Sequence, residues 1–230
     1  MKNSEYTLNL NALLPVNEIF GSIDGEGITA GGLATFIRLC GCNMKCSYCD
    51  TTYALSTKDA DFISIENILD EVDKNGYKHV TLTGGEPLIH ENSYYLIKAL
   101  LKKGYIVNIE TNGSIPISKY QLDNVIITMD YKCPSSNTER LMYLDNLELL
   151  RENDVLKFVC MRNDLSKVKE IISHYNIKSY IYLSPVFNEI QPLELVEFLK
   201  ELHLSHINTD KIRVQVQLHK IIWNPDQRGV

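Results

Sequence analysis

Residues 79–110 read HVTLTGGEPLIHENSYYLIKALLKKGYIVNIE, and the fold of the chain follows from this stretch. A β-rich apolar run, His79–Thr83, meets a glycine pair and a proline. An amphipathic segment, Ser93–Lys103, follows and stops at Gly104, where a left-handed residue closes a helix. A second apolar run, Ile106–Glu110, completes the unit. Strand, helix and strand in this order predict a right-handed βαβ crossover within a parallel sheet.

Working outward, further strands are predicted at Ala34–Leu39, Val125–Met129, Val155–Cys160, Tyr180–Leu183 and Ile212–Gln217. Helices are predicted at Ile65–Asn75, Glu139–Glu152, Leu165–Tyr175 and Leu193–Leu202. Ser64 suits the start of the first of these, with Glu66 and Asn67 close by, and Gly76 its end. The repeats are too few for an eight-fold barrel of about 250 residues. The expected fold is therefore α/β: an incomplete, TIM-like βα barrel of parallel strands, in a single domain over residues 1–230 with no linker or low-complexity segment. In that geometry reactive groups gather at the C-terminal ends of strands. Three motifs fall there: Cys42–Cys49 after the first strand, Gly84–Pro87 after the second and Glu110–Gly113 after the third.

Composition narrows the function classes. The chain is 44% apolar and 23% charged, ordinary for a protein with a sizeable core. Its net charge of −6, from 23 basic and 29 acidic residues, argues against broad binding to nucleic acid or acidic membranes. No apolar run is long enough to cross a membrane, and Met1–Leu10 lacks the basic-then-apolar order of a secretory signal. Six cysteines in such a chain read as ligands or buried thiols in a reducing cytoplasm rather than as a disulfide framework.

Three of those cysteines crowd into one loop, Cys42-Asn-Met-Lys-Cys46-Ser-Tyr-Cys49. Thiolates at spacings of four and three can hold three corners of an iron–sulfur cubane and leave one iron open. Structural zinc takes four ligands in CxxC-type pairs, which this spacing does not supply. The competing reading is a zinc site completed by His79 or His90. Cys40, Cys133 and Cys160 stand apart from the loop.

Cx3CxxC after a first strand, with Tyr48 before the last cysteine, resembles the signature of the radical S-adenosylmethionine superfamily. The resemblance implies that the open iron chelates the amino and carboxylate groups of S-adenosylmethionine, which one electron cleaves to methionine and a 5′-deoxyadenosyl radical. Thr83-Gly-Gly-Glu-Pro87 resembles the GGE segment that binds the methionine amino group there. Further segments narrow the likeness: Glu18–Gly27, Phe36–Leu39, Gly41–Asn43, Cys49–Thr51, Glu110–Gly113, Asp130–Ser136, Gln217–Lys220 and Arg228–Val230. Together they resemble the 7-carboxy-7-deazaguanine synthase family over nearly the whole chain. That family implies compact homodimers that convert 6-carboxy-5,6,7,8-tetrahydropterin to 7-carboxy-7-deazaguanine and ammonia, towards queuosine and other 7-deazapurines. A one-electron donor such as flavodoxin or ferredoxin is implied with it.

The likeness also implies roles for particular residues. Cys42, Cys46 and Cys49 hold a [4Fe–4S] cluster. Tyr48, Asp50, Gly85, Glu86, Asp130, Tyr131, Lys132 and Ser184, with Cys49, surround S-adenosylmethionine. Residues 1–30 form a substrate-binding extension in which Ile23, Asp24, Gly25 and Glu26 meet the donor-rich edge of the pterin, and residues 212–230 close the site with His219 and the Val230 carboxylate. Relatives mostly carry Gln where this chain has Asp24. Thr83 touches substrate, Thr51 ligates Mg²⁺, and Glu110 and Glu26 are the candidate acid–base groups. Read from the residues alone, Asp24–Glu26 is a turn, Thr51 a cap and Glu110 a solvated strand end. Arg38 needs a partner in its apolar strand, either a substrate carboxylate suited to its planar fork or a structural salt bridge. Two rival functions compete: an activase that makes a glycyl radical on a partner protein, which shares the cysteine pattern, and an electron-transfer or metal-storage protein.

Overall fold

Nine strands form one sheet in a computed structural model that describes residues 8–58 and 60–230. In chain order they are β1 (Leu13–Ile23), β2 (Leu33–Leu39), β3 (Asp61–Ser64), β4 (His79–Gly84), β5 (Ile106–Thr111), β6 (Val125–Tyr131), β7 (Val155–Cys160), β8 (Tyr180–Pro185) and β9 (Ile212–Val214). Side by side they run β3, β1, β2 and then β4 to β9 in sequence. Every pairing from β2 to β9 is parallel, and β1 is antiparallel to both its neighbours. The main helices are α1 (Ile65–Asn75), α2 (Asn92–Lys102), α3 (Asn146–Leu149), α4 (Leu165–His174), α5 (Pro192–Leu204) and α6 (His219–Ile222). The sheet has two edges, β3 and β9, so the expected partial barrel is the fold observed.

Local chemistry sets the elements. The Ser64 side chain accepts from the Asn67 N–H at 3.3 Å and starts α1, while Gly76 ends it at φ 70°. Ile65, Ile68, Leu69 and Val72 put the apolar stripe of α1 into the core; each such side chain contributes about 1.5–3 kcal/mol by leaving water. The parallel strands carry two contrasting faces. Val80, Leu82, Val107, Ile109, Leu156 and Phe158 belong to the buried apolar core. The alternate positions Thr81, Thr83, Asn108, Glu110, Thr128 and Lys157 face the barrel interior, which is polar.

Two strands escaped the sequence reading. β1 carries Pro15, Asn17 and Gly21, which break a strand pattern, and β3 has only four residues; they hold each other antiparallel at the sheet edge. The expected helix over Glu139–Glu152 is replaced by a short turn and the four-residue α3. Tertiary bonds pull this segment over the end of β5: Tyr143 N–H donates to Gly113 O, and the buried Asn146 side chain spans Gly113 O, Ile115 O and the Ile117 N–H. The last expected strand stops at Val214, freeing Gln215 for the site. Residues 1–7, which begin the expected N-terminal extension and most of the Met1–Leu10 stretch, lie outside the described residues.

Candidate active site

The cysteine loop leaves the end of β2 and is clamped by backbone. Gly41 and Cys42 N–H donate to Ala54 and Leu55 O, closing the loop base. From the end of β4, Gly85 N–H donates to Leu39 O at 3.0 Å and Glu86 N–H to Gly41 O at 2.8 Å. A Cβ on Gly85 would sit 2.2 Å from Gly41 O, and one on Gly84, where φ is +143°, 2.1 Å from Leu39 O. Only glycine permits this approach. Gly84 thus presses on the end of β2 and Gly85 on Gly41, where the cysteine loop starts. On the other side Ser47 N–H donates to Ser136 O, and the Tyr48 hydroxyl donates to Val159 O at 3.0 Å, near the end of β7.

Glu86 is wholly buried and acts as the knot of this rim. Its carboxylate accepts from Leu88 N–H (3.0 Å), the Thr111 hydroxyl (2.8 Å) and Asn112 N–H (2.6 Å). Burial pushes its pKa up to about 7, against the pull of these donors. With all three contacts made by protein, the segment offers a ligand its backbone more than this side chain.

The cysteines divide by exposure. Cys40, Cys133 and Cys160 are 1%, 0% and 0% exposed, whereas Cys42, Cys46 and Cys49 are half-buried at the rim. All six are unpaired. The His90 ring is bonded to Cys40 O at 2.8 Å, and His79 begins β4 at the far end of the barrel, so neither joins the loop. Among the described residues no three His, Cys, Asp or Glu side chains converge on one metal ion. A cubane makes no such demand, since each thiolate ligates its own iron. Three accessible thiols on one clamped loop fit a [4Fe–4S] cluster with one open corner.

Below the rim, the polar interior is centred on a network around Lys157, with two separate buried pairs beside it. Lys157, in the middle of β7, reaches Glu26 at 2.8 Å and Asp130 at 3.3 Å. Burial opposes its charge, but Asp130, Glu26 and Glu110 around it hold its pKa well above the ordinary value. Glu26 also accepts from the Ser184 hydroxyl (3.3 Å) and the Gln215 amide (3.2 Å). Gln215 in turn takes the Gly27 N–H at 2.9 Å. Burial raises the Glu110 pKa, while Thr83 donates to that carboxylate at 2.7 Å. Burial also pushes the Asp130 carboxyl up, yet Lys132, at 3.1 Å, and Lys157 hold it below the usual range. Asp24 is buried and accepts from Thr81 at 2.8 Å, with its pKa raised by burial.

The remaining expected residues fall into place around this network, with exceptions. Arg38 Nε donates to Glu18 at 2.8 Å, its partner across β1 and β2, and its guanidinium lies 5.9 Å from the Tyr53 ring. A structural salt bridge is therefore present on a side chain that still faces the interior row. The His219 ring packs on Gly25, where an added Cβ would meet Nδ1 at 2.8 Å, and burial lowers its pKa. Leu218 N–H donates to Gly25 O, tying α6 to the Asp24–Glu26 turn. The tail crosses back over β1, with Arg228 bonded to Asn17 at 2.8 Å and stacked on Tyr53 at 3.9 Å. Ile23 ends β1 beside this turn, and Val230 is half-buried. The Thr51 hydroxyl donates to Asp50 at 2.9 Å, and Asp50 meets Lys220 at 3.7 Å. Tyr131 points to the other face of the sheet, its ring packed at a tilt of 42° against Phe158 and its hydroxyl on Glu139, so only its backbone lies at the rim. Lys157, Gln215 and Glu18 were missed. A lysine inside the apolar run Val155–Cys160 was the available signal for the first; the other two gave none.

The comparisons agree with the geometry. Residues 36–161 match the model of the Radical SAM superfamily. The chain belongs to this superfamily of enzymes. It is 43% identical over 223 residues to the 7-carboxy-7-deazaguanine synthase of Clostridium acetobutylicum, covering 94% of this chain and 98% of that one. It is 36% identical over 229 residues to that of Chlorobaculum tepidum, covering 97% and 100%. The fold is similar to the crystal structure of QueE from Escherichia coli, with a TM-score of 0.74 at 24% identity, covering 95% of this chain and 100% of that one. Within the superfamily the chain belongs to the 7-carboxy-7-deazaguanine synthase family, which sets aside the activase and electron-carrier readings.

Proposed function

We propose that the chain converts 6-carboxy-5,6,7,8-tetrahydropterin to 7-carboxy-7-deazaguanine with loss of ammonia, with the rim as its cofactor side and the polar interior as its substrate side. The observation that carries the substrate side is the arrangement of Asp24, Glu26 and Glu110 below the cysteine loop, with Arg38 on the same interior face. Carboxylates suit the N–H-rich edge of a pterin, and a guanidinium suits its carboxylate.

Cys42, Cys46 and Cys49 would hold the cluster, which with S-adenosylmethionine supplies hydrogen-atom abstraction from the substrate. The backbone of Gly84–Glu86, with Tyr48, Asp50, Asp130, Tyr131, Lys132 and Ser184, forms the wall for S-adenosylmethionine. Lys157 fixes Glu26, and burial raises the proton affinity of Glu110, which suits it to proton transfer at the substrate. Ile23–Glu26, Thr83, His219 and the Val230 carboxylate close round the ring, so that residues 1–30 act as the substrate-binding extension and 212–230 as the lid of a single domain. Thr51 would ligate Mg²⁺ on turning from Asp50; oxygen ligands and retained waters suit that ion. A homodimer, a flavodoxin- or ferredoxin-like electron donor and a cytoplasmic setting complete the reading. They are supported by family membership and by six unpaired cysteines.

Anaerobic incubation of the iron-loaded protein with S-adenosylmethionine, dithionite, Mg²⁺ and the carboxypterin tests the proposal. The expected result is 7-carboxy-7-deazaguanine by mass, in excess over S-adenosylmethionine consumed, since the hydrogen atom is returned. Formation of 5′-deoxyadenosine with no deazaguanine would overturn it.

A further inference from the structure

Two buried polar side chains from outside the cysteine loop end on its sulfurs. Asn112, just past β5, is 6% exposed, and its Oδ1 accepts from the Ser114 N–H at 3.0 Å and the Ser114 hydroxyl at 2.6 Å. With the oxygen end fixed by two donors, the amide nitrogen faces the loop, 3.0 Å from Asn43 Oδ1 and 3.8 Å from Cys42 Sγ. Asn112 N–H is held in turn by Glu86 at 2.6 Å. Thr138, after β6, is 5% exposed, with its hydroxyl 3.4 Å from Cys46 Sγ and 3.0 Å from the Ser136 hydroxyl. A cysteine that ligates iron is a thiolate with no proton to give, so between these two atoms the threonine must donate.

We propose that Asn112 and Thr138 donate hydrogen bonds to the ligating sulfurs of Cys42 and Cys46 and so set the potential at which the cluster takes its electron. The proposal rests on the cluster being held by those cysteines. The step concerned is a one-electron reduction, [4Fe–4S]²⁺ to [4Fe–4S]⁺, by an external low-potential donor that is itself oxidised by one electron. Hydrogen bonds to sulfur favour the more negative, reduced state and raise the potential. Each donor is fixed before the cluster arrives, Asn112 by Ser114 and Glu86, Thr138 by Ser136. Both are positioning residues: they act on the cluster through its ligands.

The test is a dithionite redox titration of the iron-loaded protein, followed by electron paramagnetic resonance, on wild type, Thr138→Val, Thr138→Ser and Asn112→Ala, with iron and sulfide measured in each. Valine keeps the shape of threonine and removes the donor. The expected result is a more negative midpoint for Thr138→Val and for Asn112→Ala at unchanged iron content, with Thr138→Ser restored to the wild-type value. Unchanged midpoints in loaded variants would overturn the proposal. So would loss of iron from both Thr138→Val and Asn112→Ala, which would make the residues structural supports. A wild type that forms no cluster signal would instead remove the cluster reading beneath it.

Discussion

The rim that carries the cysteines and the interior below it are built by opposite means. At the rim, backbone meets backbone: Gly84 and Gly85 press on Leu39 and Gly41, and the Glu86 carboxylate is used up by protein donors. In the interior, single charged side chains from separate elements meet, with Lys157 of β7 between Asp130 of β6 and Glu26 of the turn after β1. The rim is rigid by close approach and leaves thiols accessible. The interior is held by charge balance and leaves Glu110 a carboxyl whose proton affinity burial has raised.

The largest expected effect separates the two sets of cysteines. Alanine at Cys42, Cys46 or Cys49 should abolish iron binding and turnover, whereas Cys133→Ala should keep both and cost about 1–2 kcal/mol of stability. Iron content and product formation read this directly. Retention of the cluster in Cys46→Ala would break the account of the rim.

Next comes the interior. Lys157→Met leaves Glu26 and Asp130 without their shared cation in a buried site, which should cost about 3–5 kcal/mol. A variant as stable as wild type in denaturant unfolding would mean that the interior is not held by charge. Gly85→Ala should follow at about 1–3 kcal/mol, since its Cβ must push Gly41 away. Its iron retention should fall further than its melting temperature suggests, because the displaced backbone starts the cysteine loop. Equal loss of iron in Gly31→Ala, a solvent-facing glycine where φ of +85° strains an alanine but the added Cβ meets nothing within 4 Å, would make the effect one of backbone strain in general.

The last effect is one of pH. Glu86 has its pKa raised from 4.5 to about 7, so the folded state binds its proton more tightly than the unfolded chain. The resulting stability is complete below about pH 4.5 and is lost as pH rises through about 7. The advantage of wild type over Glu86→Gln should therefore shrink over that window, by about 3 kcal/mol at the full shift. A difference in melting temperature that stays flat with pH would show that Glu86 is ionised throughout.

The same contrast explains what the sequence made legible. The rim is written locally: Cx3CxxC and Gly-Gly-Glu-Pro each occupy one short stretch, and glycines and thiols have few other uses at such spacing. The parallel strands were legible too, because their outer faces are continuous apolar runs. The interior is written one residue per strand. Lys157 and Gln215 come together only once the sheet curls, and Gln215 lay in what reads as the continuation of a strand. β1 was hidden by Pro15 and Asn17, and the helix expected over residues 139–152 yielded to the tertiary hydrogen bonds of Asn146. Arg38 was seen as needing a partner, but its partner Glu18 sits on the strand that was missed.

The central claim is that Cys42, Cys46 and Cys49 hold a cluster with one iron left open for S-adenosylmethionine. The most direct measurement is the electron paramagnetic resonance spectrum of the dithionite-reduced, iron-loaded protein before and after addition of S-adenosylmethionine. The account predicts a [4Fe–4S]⁺ signal whose g-values shift on addition. A signal that S-adenosylmethionine leaves unchanged would contradict it.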